Sequence, residues 1–202
     1  MESIFETAWR RHYPNHEPVG YRMLTNDMLM AADDAQCWAR FHSLPESKRY
    51  ADTPVERAIL LERSNTLANE VLGDGSACWL VQTQWVTPDR VTDIADEFDP
   101  FRACHEYGLS FAFRFLVDEG DDDVRPWNVY AAPVRWCESA FDDLLWAIAN
   151  ERAGPTLWMS QATGAVFAPY DGGVDLFLPS TKMVVALKNR YAAWLSNHPL
   201  GL

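Results

Sequence analysis

The chain has 202 residues, of which 48% are hydrophobic and 23% charged, and its formal net charge is -12. This composition is typical of one packed domain and excludes a disordered polypeptide. No apolar run reaches the ~18 residues that a membrane-spanning helix needs, and the segment from Met1 to Phe5 lacks the features of a secretory signal. We therefore expect a cytoplasmic protein without membrane contact. Its negative charge disfavours direct binding of nucleic acid and favours a basic protein partner.

The sequence predicts no catalytic residue, metal site or cofactor. It contains no Gly-rich phosphate loop, H-E-x-x-H pair or dinucleotide fingerprint. Cys104 and His105 have the residue types of a nucleophile and its base, but adjacent residues in a strand or loop point apart. No two cysteines form a C-x-x-C pair, so we expect four buried free thiols, at Cys37, Cys78, Cys104 and Cys137.

The first third of the chain predicts a helix, a strand and a second helix. A helix is indicated near the start by apolar residues at helical spacing, at Ile4, Phe5, Ala8 and Trp9. Large residues alternate from Trp38 to His42, which favours a strand. Thr53, Pro54 and Glu56 form a capping pattern, so a long helix should begin there and continue to about Leu72, before Gly73.

The remainder predicts further strands and two amphipathic helices. Strands are expected in the apolar stretches Cys78 to Val86, Leu109 to Val117, Trp127 to Val134, Thr156 to Met159 and Ala165 to Leu178. The period of two in the second stretch predicts a core face made of Phe111, Phe113, Phe115 and Val117. The acidic run Asp118 to Asp123 lacks calcium-ligand spacing and predicts a solvated hairpin turn. Helical periodicity covers Ser139 to Arg152 and Ser180 to Leu195.

These elements do not alternate strictly between strand and helix, which argues against a parallel sheet. We therefore predict a single α+β domain over residues 1–202. Its sheet should be mostly antiparallel, with about five or six strands and three to four packed helices.

One segment concentrates basic and polar side chains in this acidic chain. It offers groups that could hold a carboxylate or phosphate, at Arg40, His42, Ser43, Ser47, Lys48 and Arg49. The alternative interpretation is structural: Arg40 pairs with a core carboxylate, the serines cap turns, and Lys48 and Arg49 are solvated.

A second segment, Pro169 to Asp175, has the composition of a tight turn between the last two strands. Its glycines permit positive φ, and an aspartate can bond its own backbone. The functional alternative uses Asp171 and Asp175 as paired carboxylates, with Tyr170 at the rim.

Nine tryptophans exceed what a core of this size needs, and tryptophan is enriched at binding hot spots. Trp85, Trp127, Trp136 and Trp158 have polar neighbours and are the candidates for exposed rings. The alternative is that each lies in the core.

The two polar segments together resemble a bacterial family of uncharacterised domain proteins. Its members pair an R-F-H-S-L-P-x-S-K-R-Y block, here Arg40 to Tyr50, with a late P-Y-D-x-G-x-D turn, here Pro169 to Asp175. Trp9, Tyr13-Pro14 and Pro18 to Tyr21 also resemble elements of that family. The resemblance supports the fold and implies no activity.

Two hypotheses follow for function. The preferred one is a non-enzymatic binding protein, such as an immunity protein that neutralises a basic bacterial toxin by covering its active site. The alternative is an enzyme or anion-binding domain with a polar cleft that contains Arg40, His42, Lys48 and Arg49 together with Tyr170, Asp171 and Asp175. The oligomeric state is left open.

Overall fold

A computed structural model describes residues 2–19, 37–85, 98–118 and 124–195. These ranges contain five α-helices: α1 (Ile4–His12), α2 (Pro54–Leu72), α3 (Arg102–Tyr107), α4 (Asp142–Ala149) and α5 (Thr181–Arg190). They also contain seven strands: β1 (Trp38–His42), β2 (Ala77–Trp85), β3 (Ser110–Asp118), β4 (Val124–Arg135), β5 (Thr156–Ser160), β6 (Val166–Tyr170) and β7 (Gly173–Phe177). Short 3-10 turns cover Pro45–Ser47 and Ala192–Trp194.

The seven strands form one sheet in the order β1-β7-β6-β5-β2-β4-β3, and each neighbouring pair is antiparallel. The predicted α+β class and antiparallel sheet are confirmed, but the predicted counts of five or six strands and three to four helices were slightly low. The additional strand arises within Ala165 to Leu178, which the turn after Tyr170 divides into β6 and β7. The additional helix is α3, which has only six residues and no side-chain cap.

Both faces of the sheet carry apolar side chains, because successive strand residues point to opposite sides. Leu80 and Trp158 belong to a core cluster with residues of α2, α4 and α5. Their neighbours Val81 and Leu157 belong to a second cluster, which includes Phe5 of α1. The helices α2, α4 and α5 therefore cover one face, and α1 packs on the other. Among the described helices, none is long and apolar enough to cross a membrane.

Local sequence signals set the bounds of α2 as predicted. The Thr53 side chain accepts a hydrogen bond from the Glu56 backbone, the Glu56 side chain accepts from the Thr53 backbone, and Pro54 is the first helical residue. Gly73 ends the helix at φ 83, a conformation that favours glycine. The helix predicted near the start of the chain and the two amphipathic helices are also confirmed. Both amphipathic helices are shorter than predicted, and a 3-10 turn follows the last one.

Two expectations about burial were wrong. Phe111 is 55% exposed, because the β3–β4 register shifts between Phe111 and Phe113 and turns it out of the core. Cys137 is exposed, and of the four free cysteines only Cys78 is buried. Trp136 and Trp158 are fully buried within the aromatic centre of the core, which confirms for these two rings the interpretation that they lie in the core. The predicted acidic turn at 119–123, residue Val86 and the Val117 side chain lie outside what the structure describes.

Candidate functional site

The two polar segments singled out in the sequence meet at one end of the sheet. The first begins in β1 and continues through the Pro45–Ser47 turn, and the second is the turn between β6 and β7. Strands β1 and β7 are paired so that Arg40 lies opposite Asp175 and His42 opposite Gly173. The antiparallel order also brings the last residues of β2 and the first residues of β4 and β5 to this end.

Arg40 and Asp175 form a buried, bidentate ion pair. Arg40 Nε donates to Asp175 Oδ1 at 2.7 Å, and Nη2 donates to Oδ2 at 2.8 Å. The Asp175 side chain is 0% exposed, and burial raises its pKa while Arg40 opposes that rise. The guanidinium also lies over the rings of Trp38 and Tyr170, at 5.2 and 5.1 Å from their centroids. The structural interpretation of Arg40, a pair with a core carboxylate, is therefore confirmed.

Arg49 and Tyr50 connect the first segment to two further carboxylates. Arg49 Nε donates to Asp171 Oδ2, and its Nη2 lies 3.7 Å from Glu151 Oε1. The Tyr50 hydroxyl lies 2.9 Å from Glu151 Oε2 and 3.3 Å from Asp171 Oδ2. A hydroxyl has one proton to donate, and the shorter distance assigns this hydrogen bond to Glu151. That hydrogen bond raises the pKa of Tyr50. Asp171 thus receives a hydrogen bond from Arg49 of the first segment.

Lys48 joins the segment to the start of α2. Its Nζ lies 2.6 Å from Glu56 Oε1 and 2.9 Å from Asp52 Oδ2. The hydrogen bond to Glu56 and then the one to Asp52 raise the pKa of Lys48, and the same lysine lowers the pKa of Glu56. The cations of Arg40, Lys48 and Arg49 are therefore each balanced by at least one carboxylate.

His42, Ser43 and Ser47 take different positions in this arrangement. The His42 ring is half-buried, and its Nε2 atom has no hydrogen-bond partner among the described residues. Burial lowers the pKa of His42, against a hydrogen bond with the Gly172 backbone that raises it. Ser43 is buried and its backbone N–H donates to the Gly172 carbonyl at 3.2 Å, whereas Ser47 is exposed at φ 57.

The turn between β6 and β7 needs a glycine for a reason other than the expected positive φ. Neither Gly172 nor Gly173 is among the positive-φ residues, so that expectation was wrong. A Cβ atom at Gly173 would lie 2.2 Å from the Phe41 carbonyl oxygen of β1, whereas one at Gly172 would meet the edge of the Tyr170 ring at 3.2 Å. Close backbone approach between β7 and β1 therefore requires Gly173.

A cavity of about 300 Å³ opens beside Asp171 at this end of the sheet. Two residues of the predicted site, Tyr170 and Asp171, line it, and His42, Arg40 and Lys48 are not among its lining residues. The other lining side chains relevant to its chemistry are those of Trp85, Phe98, Trp127 and Glu151. Of the four tryptophans considered for exposure, Trp85 and Trp127 are thus half-buried rings facing a cavity.

Sequence reasoning did not identify Glu151 or Tyr50 as site residues. Glu151 follows α4 at φ 56, a strained conformation for a residue with a side chain, and such strain is concentrated at functional positions. The sequence predicted a helix as far as Arg152. The local signal of a turn was Gly154-Pro155, which carries no information on the distance between Glu151 and Asp171.

Cys104 and His105 lie in α3 rather than in a strand or loop. Burial raises the pKa of the Cys104 thiol to about 11, so the thiolate is disfavoured at neutral pH. The His105 Nδ1 atom lies 2.9 Å from Asp99 Oδ2, on an exposed part of the surface. In the described ranges, no group of three or more His, Cys, Asp or Glu residues is placed to hold a metal ion.

Comparison with known protein families gives a match over most of the chain. The model of a family described as "Domain of unknown function (DUF3885)" matches residues 27–199. No curated protein and no solved structure matches the chain.

Proposed function

The chain belongs to the DUF3885 domain family, and we propose that it is a non-enzymatic protein that binds and neutralises a basic protein partner, in the manner of an immunity protein against a toxin. The proposed place of action is the cytoplasm. A protein with a net charge of -12 attracts basic surfaces over distances of about a Debye length, roughly 8 Å at physiological salt.

The observation that carries the proposal is the excess of carboxylates around the two polar segments. Four cations at this end contact six carboxylates: Arg40 contacts Asp175, Lys48 contacts Asp52 and Glu56, Arg49 contacts Glu151 and Asp171, and Arg57 contacts Asp143. The side chains of Asp52, Glu151 and Asp143 are 75%, 60% and 85% exposed. The densest basic segment of the chain therefore lies within an acidic surface, and this surface suits a basic partner better than an anion.

Affinity capture of the tagged chain from its native cells tests the proposal. The capture is carried out at about 0.05 M and about 0.5 M salt, since exposed charge pairs are screened as ionic strength rises. We expect a stoichiometric basic protein at low salt that is depleted at high salt. The control bait carries Lys at Asp52 and Asp143, two exposed positions, and should lose the same protein at low salt.

A chain that captures no stoichiometric partner at either salt would contradict the proposal. So would a partner that is acidic, or one that is retained equally by the charge-reversed bait.

A small-ligand binding domain is the second candidate, because the cavity beside Asp171 lies at the lower end of the volumes of small-molecule sites. Its lining by carboxylates and aromatic rings favours a cationic ligand over the anion expected from the sequence. An absence of any protein partner, together with thermal stabilisation of the chain by small organic cations, would favour this candidate.

A further inference from the structure

The cavity beside Asp171 has the composition of a cation site. It lies between the end of β2, the start of β4, the end of β6 and the loop that joins α4 to β5. Aromatic side chains from three of these elements contribute to its lining, namely Trp85, Trp127 and Tyr170. Two carboxylates also line it: Asp171, whose side chain is 10% exposed, and Glu151, whose side chain is 60% exposed.

The rings of this site already accept guanidinium groups from the chain itself. The Arg125 guanidinium carbon lies 4.4 Å from the centroid of the Trp85 ring, and that of Arg40 lies 5.1 Å from the centroid of Tyr170. The negative face of an aromatic ring attracts such a cation, and desolvation strengthens the attraction. An incoming arginine or lysine would bind the faces of these rings that the guanidinium groups of Arg125 and Arg40 leave uncovered.

Two carboxylates at the cavity mouth offer hydrogen-bond acceptors to a cation, beside the guanidinium groups of Arg49 and Arg125. Arg49 contacts both carboxylates, but only one of its contacts is a close hydrogen bond, to Asp171, and Glu151 remains 3.7 Å away. Glu151 also accepts from the Tyr50 hydroxyl, which leaves further lone pairs on its two oxygens. An exposed carboxylate next to aromatic walls can therefore accept hydrogen bonds from a ligand that carries N–H donors.

We propose that this cavity binds one cationic side chain, an arginine or lysine, of the basic partner. The source of the cation rests on the proposed function, whereas the cation site itself rests on the cavity. A volume of about 300 Å³ suits a single long side chain, with its stem along the rings and its charged end at Glu151 and Asp171.

The test is a titration of the full chain with N-acetyl-arginine amide, followed through the tryptophan indole N–H resonances. Substitutions W85F and W127F assign the two resonances of the cavity. We expect these two to shift saturably. N-acetyl-citrulline amide is the control probe, because it has nearly the same shape and no charge. It should bind at least about threefold more weakly, the smaller end of what a cation on an aromatic face contributes.

Two matched variants distinguish binding at the cavity from attraction by the overall negative charge of the chain. E151Q removes one charge at the cavity, and D143N removes one at a more exposed position elsewhere on the acidic surface. We expect E151Q to weaken arginine binding by about threefold to tenfold and D143N to change it much less. Equal binding of citrulline, equal effects of the two variants or an absence of saturation would each overturn the proposal.

Partner binding and probe binding, measured separately, distinguish failure of this inference from failure of the proposed function. If a basic partner binds wild type and E151Q equally and the arginine probe does not bind, the cavity proposal is overturned and the proposed function stands. If the probe binds as described and no partner is captured, the proposed function is overturned and the cation site stands.

Discussion

Arg40 and Asp175 form the buried ion pair at the polar end of the sheet. Asp175 is fully buried and its carboxylate is satisfied by two hydrogen bonds from one guanidinium. Removing one partner of such a pair leaves an uncompensated buried charge, which is more destabilising than removing both.

We therefore expect Arg40→Met to lower the free energy of unfolding by about 3–5 kcal/mol, measured by chemical denaturation. The double variant Arg40→Met with Asp175→Leu should recover a large part of that loss, because no charge remains buried. A single variant as stable as wild type would show that the pair does not hold β1 to β7.

The Gly173 position tests the close approach of β7 to β1. Gly173→Ala should destabilise the fold by about 1–3 kcal/mol, because its Cβ would meet a backbone oxygen that cannot move independently. Gly172→Ala is the matched control and should cost less, since only the edge of a tyrosine ring must yield. Thermal denaturation of both variants measures the difference, and equal stability of the two would contradict this explanation.

His42 should make stability depend on pH. Its pKa is lowered in the folded state, so folding favours the neutral ring. Above the unfolded pKa of about 6.5 the ring is neutral in both states, and the protein has its full stability. As the pH falls from that value towards the folded pKa, the unfolded chain binds a proton first and the free energy of unfolding decreases. We expect the unfolding midpoint of wild type to fall more between about pH 7 and 5.5 than that of His42→Gln. Parallel midpoints for the two proteins over this range would contradict the assignment.

At the scale of elements, the capping box of α2 offers the clearest test. Thr53→Ala removes the side chain that accepts from the Glu56 backbone, and should cost about 0.5–2 kcal/mol of stability by denaturation. Ser180→Ala removes a cap on α5 that rests on one longer hydrogen bond of 3.4 Å. We expect the smaller loss there, and a larger loss for Ser180→Ala would contradict this ranking.

Elements with strong local signals could be predicted from sequence. The bounds of α2 followed from Thr53, Pro54 and Gly73, because capping and helix termination depend on neighbouring residues. The number of strands was underestimated because Ala165 to Leu178 was counted as one apolar stretch, although the turn predicted at Pro169 to Asp175 divides it into β6 and β7. Phe111 lies outside the core because of a register shift, which no periodicity in β3 itself could indicate.

The candidate site could be predicted only in part, because its contacts are long-range. Residue types singled out the two polar segments, but Arg40 and Asp175 are 135 residues apart in the chain. The pairing of β1 with β7 brings them together, and it depends on the order of the whole sheet. Glu151 was missed for the same reason, since it reaches Arg49 and Tyr50 only through the fold.

At the scale of the molecule, the chain has a net charge of -12. The order of its antiparallel sheet also places the two polar segments at the same end. Within the described residues, that end holds exposed carboxylates, a cavity lined by aromatic rings and cations that are already paired. These features support the proposal of a protein that recognises a basic surface, with the cavity at the point of contact.

The growth of cells that express the captured partner, with and without this chain, tests neutralisation most directly. The proposal predicts that the partner alone arrests growth and that co-expression of this chain restores it, while the variant with Lys at Asp52 and Asp143 restores it less. A partner that does not arrest growth, or an arrest that this chain does not relieve, would contradict the proposed function.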